Sequence, residues 1–84
     1  MTQFRFKVMA PETREPIQHV RVEPAPDWDD FKEFVEQYIE STGAEIKVAD
    51  YGMDRHQIDY ELDGERYLMH YEHYTQSVWI EPKK

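Results

Sequence analysis

Asp54, Arg55, His56, Glu72 and His73, with His70 close by, are the residues of this chain whose types and spacing could do chemistry. Imidazoles beside carboxylates can hold a divalent metal or pass protons near neutral pH. Strand periodicity argues against convergence, because alternate side chains point to opposite faces. His56 falls with the apolar set, whereas Arg55, His70 and Glu72 fall on the other side. His70 and His73 would share a metal only if the strand breaks between them. The simpler reading is a cross-strand ion pair, Arg55 with Glu72, plus surface histidines. No metal site, cofactor or catalytic residue is therefore expected. A small metal- or acid/base-dependent enzyme using the Asp54–His73 cluster stays as one alternative.

Other catalytic signatures are weaker. Ser41 and Ser77 lack the glycine-flanked turn of a nucleophile elbow. Gly43, Gly52 and Gly64 are the only glycines and each is needed for a cap or a turn, so no glycine-rich phosphate loop exists. There is no cysteine, which excludes disulfides, zinc ribbons and thiol nucleophiles.

Two surfaces could bind rather than react. A helix bearing Asp29, Asp30, Glu33, Glu36 and Glu40 presents an acidic strip relieved only by Lys32. Asp29/Glu33 and Glu36/Glu40 are like-charge pairs four residues apart, each costing about 0.2–0.5 kcal/mol. Such a strip could mimic DNA before a basic nucleic-acid-binding protein, although a solvated face explains it more simply. The second surface is Trp79 with His70 and Leu68 on a sheet face that no helix covers, the kind of residue found at interface centres.

These residues are positioned by one small domain spanning 1–84. Aromatics make up 14% of the chain, enough bulk for a thin core despite a net charge of −8. The charge is uneven: residues 1–22 carry four basic against two acidic groups, and residues 23–45 carry one against eight. Direct nucleic-acid binding is disfavoured by that acidity. No apolar run reaches the ~20 residues of a membrane span, and Met1–Arg5 lacks a signal-peptide core, so a cytoplasmic protein is expected.

The spacing of Trp28, Phe31, Phe34, Val35, Tyr38 and Ile39 predicts one amphipathic helix over about 28–42. Asp27 is the expected N-cap, Pro26 stops the preceding chain from joining, and Gly43 supplies a left-handed C-terminus. The remainder alternates as strands. Asp63-Gly64 predicts a two-residue type I′ hairpin, which sets Leu62 opposite Glu65, Tyr60 opposite Tyr67 and Ile58 opposite Met69. On the other face it sets Glu61 opposite Arg66 and Arg55 opposite Glu72. A loop around Gly52-Met53-Asp54 pairs Val48 with Ile58, Ile46 with Tyr60 and Lys47 with Asp59. A four-residue loop, His73 to Gln76, pairs Tyr71 with Val78, Met69 with Ile80 and His70 with Trp79. The turn between the first two strands holds Pro11 and Pro16 and leaves its register open.

The expected fold is α+β: a two-layer, mainly antiparallel sheet, ββαββββ, with the helix packed on one face. Strand order is left open, with a place for the third strand beside the first or the second. A ~15-residue helix is ~22 Å long and ~10–12 Å wide, and six strands span ~25 Å, so the sheet must curl for one helix to cover it. The opposite face, with Arg5, Lys7, Lys47, Leu68, His70 and Trp79, must be wet or covered by a partner.

Gly52-Met53-Asp54-Arg55-His56, Asp63-Gly64, Glu72 and Ser77-Val78-Trp79-Ile80-Glu81 together resemble a family of small bacterial proteins catalogued only as a domain of unknown function. The resemblance covers roughly residues 50–82; the first half agrees only in the order of strands and helix. It implies small size and cytoplasmic residence and brings no catalytic residues. The sequence therefore points to a non-enzymatic accessory or interaction domain, meeting a protein partner or its own copy through the uncovered sheet face.

Overall fold

The computed structural model describes residues 3–9, 17–27, 29–52 and 55–83. Its elements are β1 (Arg5–Val8), β2 (Gln18–Glu23), α1 (Phe31–Thr42), β3 (Glu45–Tyr51), β4 (Arg55–Leu62), β5 (Glu65–Glu72) and β6 (Ser77–Pro82). All six strands form one antiparallel sheet in the order β1-β2-β6-β5-β4-β3. The α+β fold and its antiparallel sheet are as the sequence implied.

The entry to α1 is built by two aspartates. Asp27 accepts from the amides of Asp29 (2.9 Å) and Asp30 (3.0 Å), while Asp30 accepts from the amide of Asp27 (2.6 Å). This is the reciprocal logic of a capping box, satisfying donors that a helix start leaves orphaned. Regular helix begins at Phe31, later than the expected start, so Asp30 and not the expected Asp27 occupies the N-cap position, although the Phe31 amide already reaches the Asp27 carbonyl (3.1 Å). Trp28, the first residue of the expected stripe, lies outside the described residues, as do Pro11, Pro16, Met53 and Asp54. At the other end Gly43, with φ of 78°, donates to the Ile39 carbonyl and closes the helix in the left-handed region.

The buried stripe of α1, Phe31, Phe34, Val35 and Tyr38, fills the concave side of the sheet. Each of these fully buried apolar side chains contributes about 1.5–3 kcal/mol. The Phe34 ring meets Phe4 and Phe6 edge-on at 5.8 Å. Tyr38 lies 5.2 Å from Phe6 on β1 and 5.6 Å from Tyr60 on β4. Those strands stand four spacings apart in the sheet, ~19 Å if it were flat. One ring touches both, so the sheet curls around the helix.

The strand order that the sequence left open is β1-β2-β6-β5-β4-β3. β3 lies beside neither β1 nor β2 but at the far edge next to β4, and β6 takes the place beside β2. The physical reason is burial. Val20 of β2 pairs with Val78 of β6, and both sit in the core, whereas every residue of β3 is exposed. An edge with little core to offer belongs outside.

The β4/β5 register follows the Asp63-Gly64 turn throughout, from Leu62 opposite Glu65 to Arg55 opposite Glu72. Both turn residues have positive φ, 53° and 83°, as type I′ requires. The β5/β6 pairs Tyr71–Val78, His70–Trp79 and Met69–Ile80 also follow the expected register. The β3/β4 register holds at Ile46–Tyr60 and then shifts, so Val48 faces Asp59 and Ala49 faces Ile58. A bulge at Lys47 turns Val48 off the core face, leaving it 59% exposed. The expected Val48–Ile58 and Lys47–Asp59 pairs are thereby lost, and Lys47 meets Glu45 instead (3.3 Å).

Candidate interaction surface

Among the described residues, the convex face of the sheet carries no helix. Alternation places Gln57 and Asp59 of β4, Leu68, His70 and Glu72 of β5, Ser77, Trp79 and Glu81 of β6, and His19 and Arg21 of β2 on that face. In its middle the Trp79 indole stacks on the His70 imidazole, centroids 5.2 Å and planes 16° apart. His70 is only 6% exposed. Its Nδ1 contacts the Gln57 amide (3.3 Å) and its Nε2 the Glu81 carboxylate (2.9 Å). A donating Gln57 amide leaves the ring proton on Nε2, directed at Glu81. His70 is thus enclosed by its neighbours, and Trp79 is the accessible side of the stack.

Beside Trp79 runs a groove of about 470 Å³ lined by Ile17, His19, Glu72, Thr75, Ser77 and Trp79. Leu68 shares the face but lines a separate hollow of about 230 Å³, with Val48, Asp50, Gln57, Asp59 and Lys83. The three sequence-derived contact residues therefore divide: Trp79 borders the groove, His70 supports it, and Leu68 stands apart.

Sequence reasoning missed the polar anchor of this face. Asp59, 5% exposed, accepts two hydrogen bonds from the Arg66 fork at 2.9 Å and one from its Nε at 3.1 Å, and it also binds the Lys83 ammonium. Lys83 and Arg66 hold the Asp59 carboxyl below the ordinary carboxylate range. Glu61 lies opposite Arg66, as expected from the hairpin, yet Arg66 reaches along the face to Asp59 because the more buried carboxylate has more need of a partner. The alternation putting Asp59 and Arg66 on one face was the available signal.

Among the described residues the polar cluster does not converge. His56 is 3% exposed on the concave side, packed against the stacked pair Phe31 (5.4 Å) and Tyr71 (5.6 Å), whose rings lie 4.7 Å apart, with Tyr51 edge-on. Arg55 and Glu72 are opposite in register but form no ion pair. The Glu72 carboxylate instead accepts from the Thr75 hydroxyl (2.6 Å) and from the Thr75 (2.8 Å) and Tyr74 (3.3 Å) amides. These bonds hold its pKa below the usual value and brace the β5–β6 turn, where His73 is exposed. Asp54 lies outside the described residues.

Along α1 and the turn before it, Asp29, Glu36 and Glu40 are exposed, while Glu33 and Asp30 are half-buried. Burial and the nearby Asp27 push the Asp30 carboxyl up, and its oxygen is engaged in the cap. The acidic strip is therefore narrower than the sequence suggested.

The Tyr38 and Tyr60 hydroxyls bond each other at 3.0 Å, and at the N-terminal entry to the helix Tyr71 donates to the Pro26 carbonyl at 2.9 Å. These satisfy core phenols whose pKa values burial raises. No helix among the described residues is long and apolar enough to cross a membrane.

The profile of one family, described as a protein of unknown function (DUF3630), matches residues 8–84. No curated protein and no solved structure matches the chain.

Proposed function

Since this chain belongs to the DUF3630 family, whose description assigns no activity, we propose from its residues alone that it is a small non-enzymatic interaction domain working through its convex sheet face. One observation carries the reading: an indole stacked on a buried imidazole at the centre of a sheet face that no described helix covers, bordering a groove of about 470 Å³. Ordering Trp79 this way lowers the entropy lost when a partner covers it. Aromatic anchors in the middle of a face are typical hot spots, worth about 2 kcal/mol or more when buried by a partner. A cytoplasmic accessory protein is the setting we assign it. A bacterial source belongs to the same proposal.

The exposed carboxylates of Asp29, Glu36 and Glu40 support a second reading, an acidic decoy for a basic partner. Affinity capture from lysate of the source cell separates the two. Under the first reading Trp79→Ser abolishes capture, whereas Glu33→Lys with Glu36→Lys leaves it unchanged. Under the second, Glu33→Lys with Glu36→Lys abolishes capture, and salt weakens the wild type steeply. Capture indifferent to Trp79→Ser overturns the first reading.

A further inference from the structure

Arg5 and Lys7 on β1 and Arg21 on β2 share the convex face, and Lys7 and Arg21 are directly opposite each other. Like charges in that position destabilise a strand pair. The chain has eighteen acidic side chains to neutralise them, yet none lies within ion-pair distance of Arg5, Lys7 or Arg21 among the described residues. All three are exposed and line a hollow of about 220 Å³ with Glu23. Lys7 and Arg21 are held together at a cost, Arg5 faces Glu23 across the strands, and among the described residues none of the three cations makes an ion pair, so in a chain of net charge −8 they form a local anion-binding corner.

This corner is continuous with the Trp79 groove. His19 is the register partner of Trp79 and lines the groove, and Arg21 follows it two residues along β2 on the same face, ~7 Å away. The carboxylates nearest the groove are already engaged, Glu72 by the Thr75 turn and Glu81 by His70. Resting on the interaction reading above, we infer that the partner is an acidic protein segment. Its carboxylates meet Arg5, Lys7 and Arg21 while an adjacent apolar side chain enters the groove beside Trp79. The overall negative charge disfavours a polyphosphate strand, which brings uniform charge along its whole length. A short segment can place its carboxylates only where the cations are.

The test selects ligands from a random-peptide display library on the immobilised full chain, in parallel with Lys7→Gln/Arg21→Gln, Lys7→Glu/Arg21→Glu and Trp79→Ser. Circular dichroism checks that each variant is folded, and the Gln pair serves if the Glu pair is not. The wild type is expected to enrich peptides with two or more carboxylates beside an apolar residue. Binding of a selected peptide should weaken about tenfold or more in the charge variants and fall as salt rises. Peptides that need Trp79 but carry no acidic bias overturn the acidic partner and leave the interaction reading standing. Peptides indifferent to both Trp79 and the cations, or no enrichment at all, overturn both. Binding of single-stranded oligo-dT that is tighter than the peptides and lost in the charge variants also overturns the inference, since the corner then reads nucleic acid.

Discussion

The Trp79 indole and the His70 imidazole lie nearly parallel, 5.2 Å apart, on the side of the sheet away from the only helix among the described residues. Gln57 and Glu81 grip the imidazole from neighbouring strands, so the indole is oriented before any partner arrives. A stack of this kind contributes to stability as well as to recognition. Trp79→Ser should therefore cost about 1 kcal/mol and lower the melting temperature by roughly 4–8 °C, with the fold retained. A thermal denaturation series followed by circular dichroism measures this, and complete unfolding at room temperature would show that Trp79 is a core residue.

The Asp59 anchor predicts the acid behaviour. Its folded pKa lies below the ordinary 3.8, so its stabilising effect is present above that value and is lost as pH falls through the folded value. Glu72 acts in the same direction. Asp59→Asn should destabilise the protein at neutral pH and flatten the acid limb of a stability-versus-pH curve. Urea titrations at pH 7, 4 and 3 on both proteins check the expectation. An unchanged acid limb in the variant would contradict it.

At high pH the phenols dominate. Tyr38, Tyr60 and Tyr71 have pKa values raised above 10, first of all by burial. A raised folded pKa gives stability that is fully present below 10 and lost as pH rises through the folded value. The wild type should therefore unfold in alkali while its buried tyrosines ionise, detectable as a late step in absorbance near 295 nm. Tyr60→Phe removes the Tyr38–Tyr60 bond and should cost about 0.5–1.5 kcal/mol near pH 7 while reducing the late step.

Much of this fold was legible because short signals were local and strong. Asp63-Gly64 dictated a hairpin whose register then placed every residue of β4 and β5, and Gly43 marked the helix end. The failures share a cause: they depend on tertiary competition rather than local pattern. No residue type around Lys47 announces a bulge, so Val48 was assigned to the core. Strand order stays open in the sequence because pairing β6 with β2 depends on matching Val20 to Val78 across 58 positions of sequence. The Trp79 face followed from alternation, but its groove did not, since Ile17 and His19 reach it only through that same β2/β6 pairing. Asp59 was read as a surface partner for Lys47 because nothing in sequence reveals that Lys83 and Arg66 converge on it.

The turn itself can be tested. Gly64 has φ of 83°, a conformation that costs a side-chain-bearing residue about 1–2 kcal/mol. A methyl there meets no neighbouring atom, so Gly64→Ala probes backbone strain alone. It should destabilise by that amount without altering the cross-strand amide contacts between Tyr60 and Tyr67. A shifted contact pattern would mean that the turn, rather than core packing, holds the register.

The convex face is the central claim, and site-specific photo-crosslinking tests it most directly. A photoreactive amino acid placed at Ser77, beside the Trp79 groove, or at Glu36, on the outer face of α1, reports which side a partner covers in the source cell. The account predicts a discrete adduct from position 77, absent when Trp79→Ser is added, and none from position 36. An adduct from position 36 alone would contradict it and make the acidic helix the working surface.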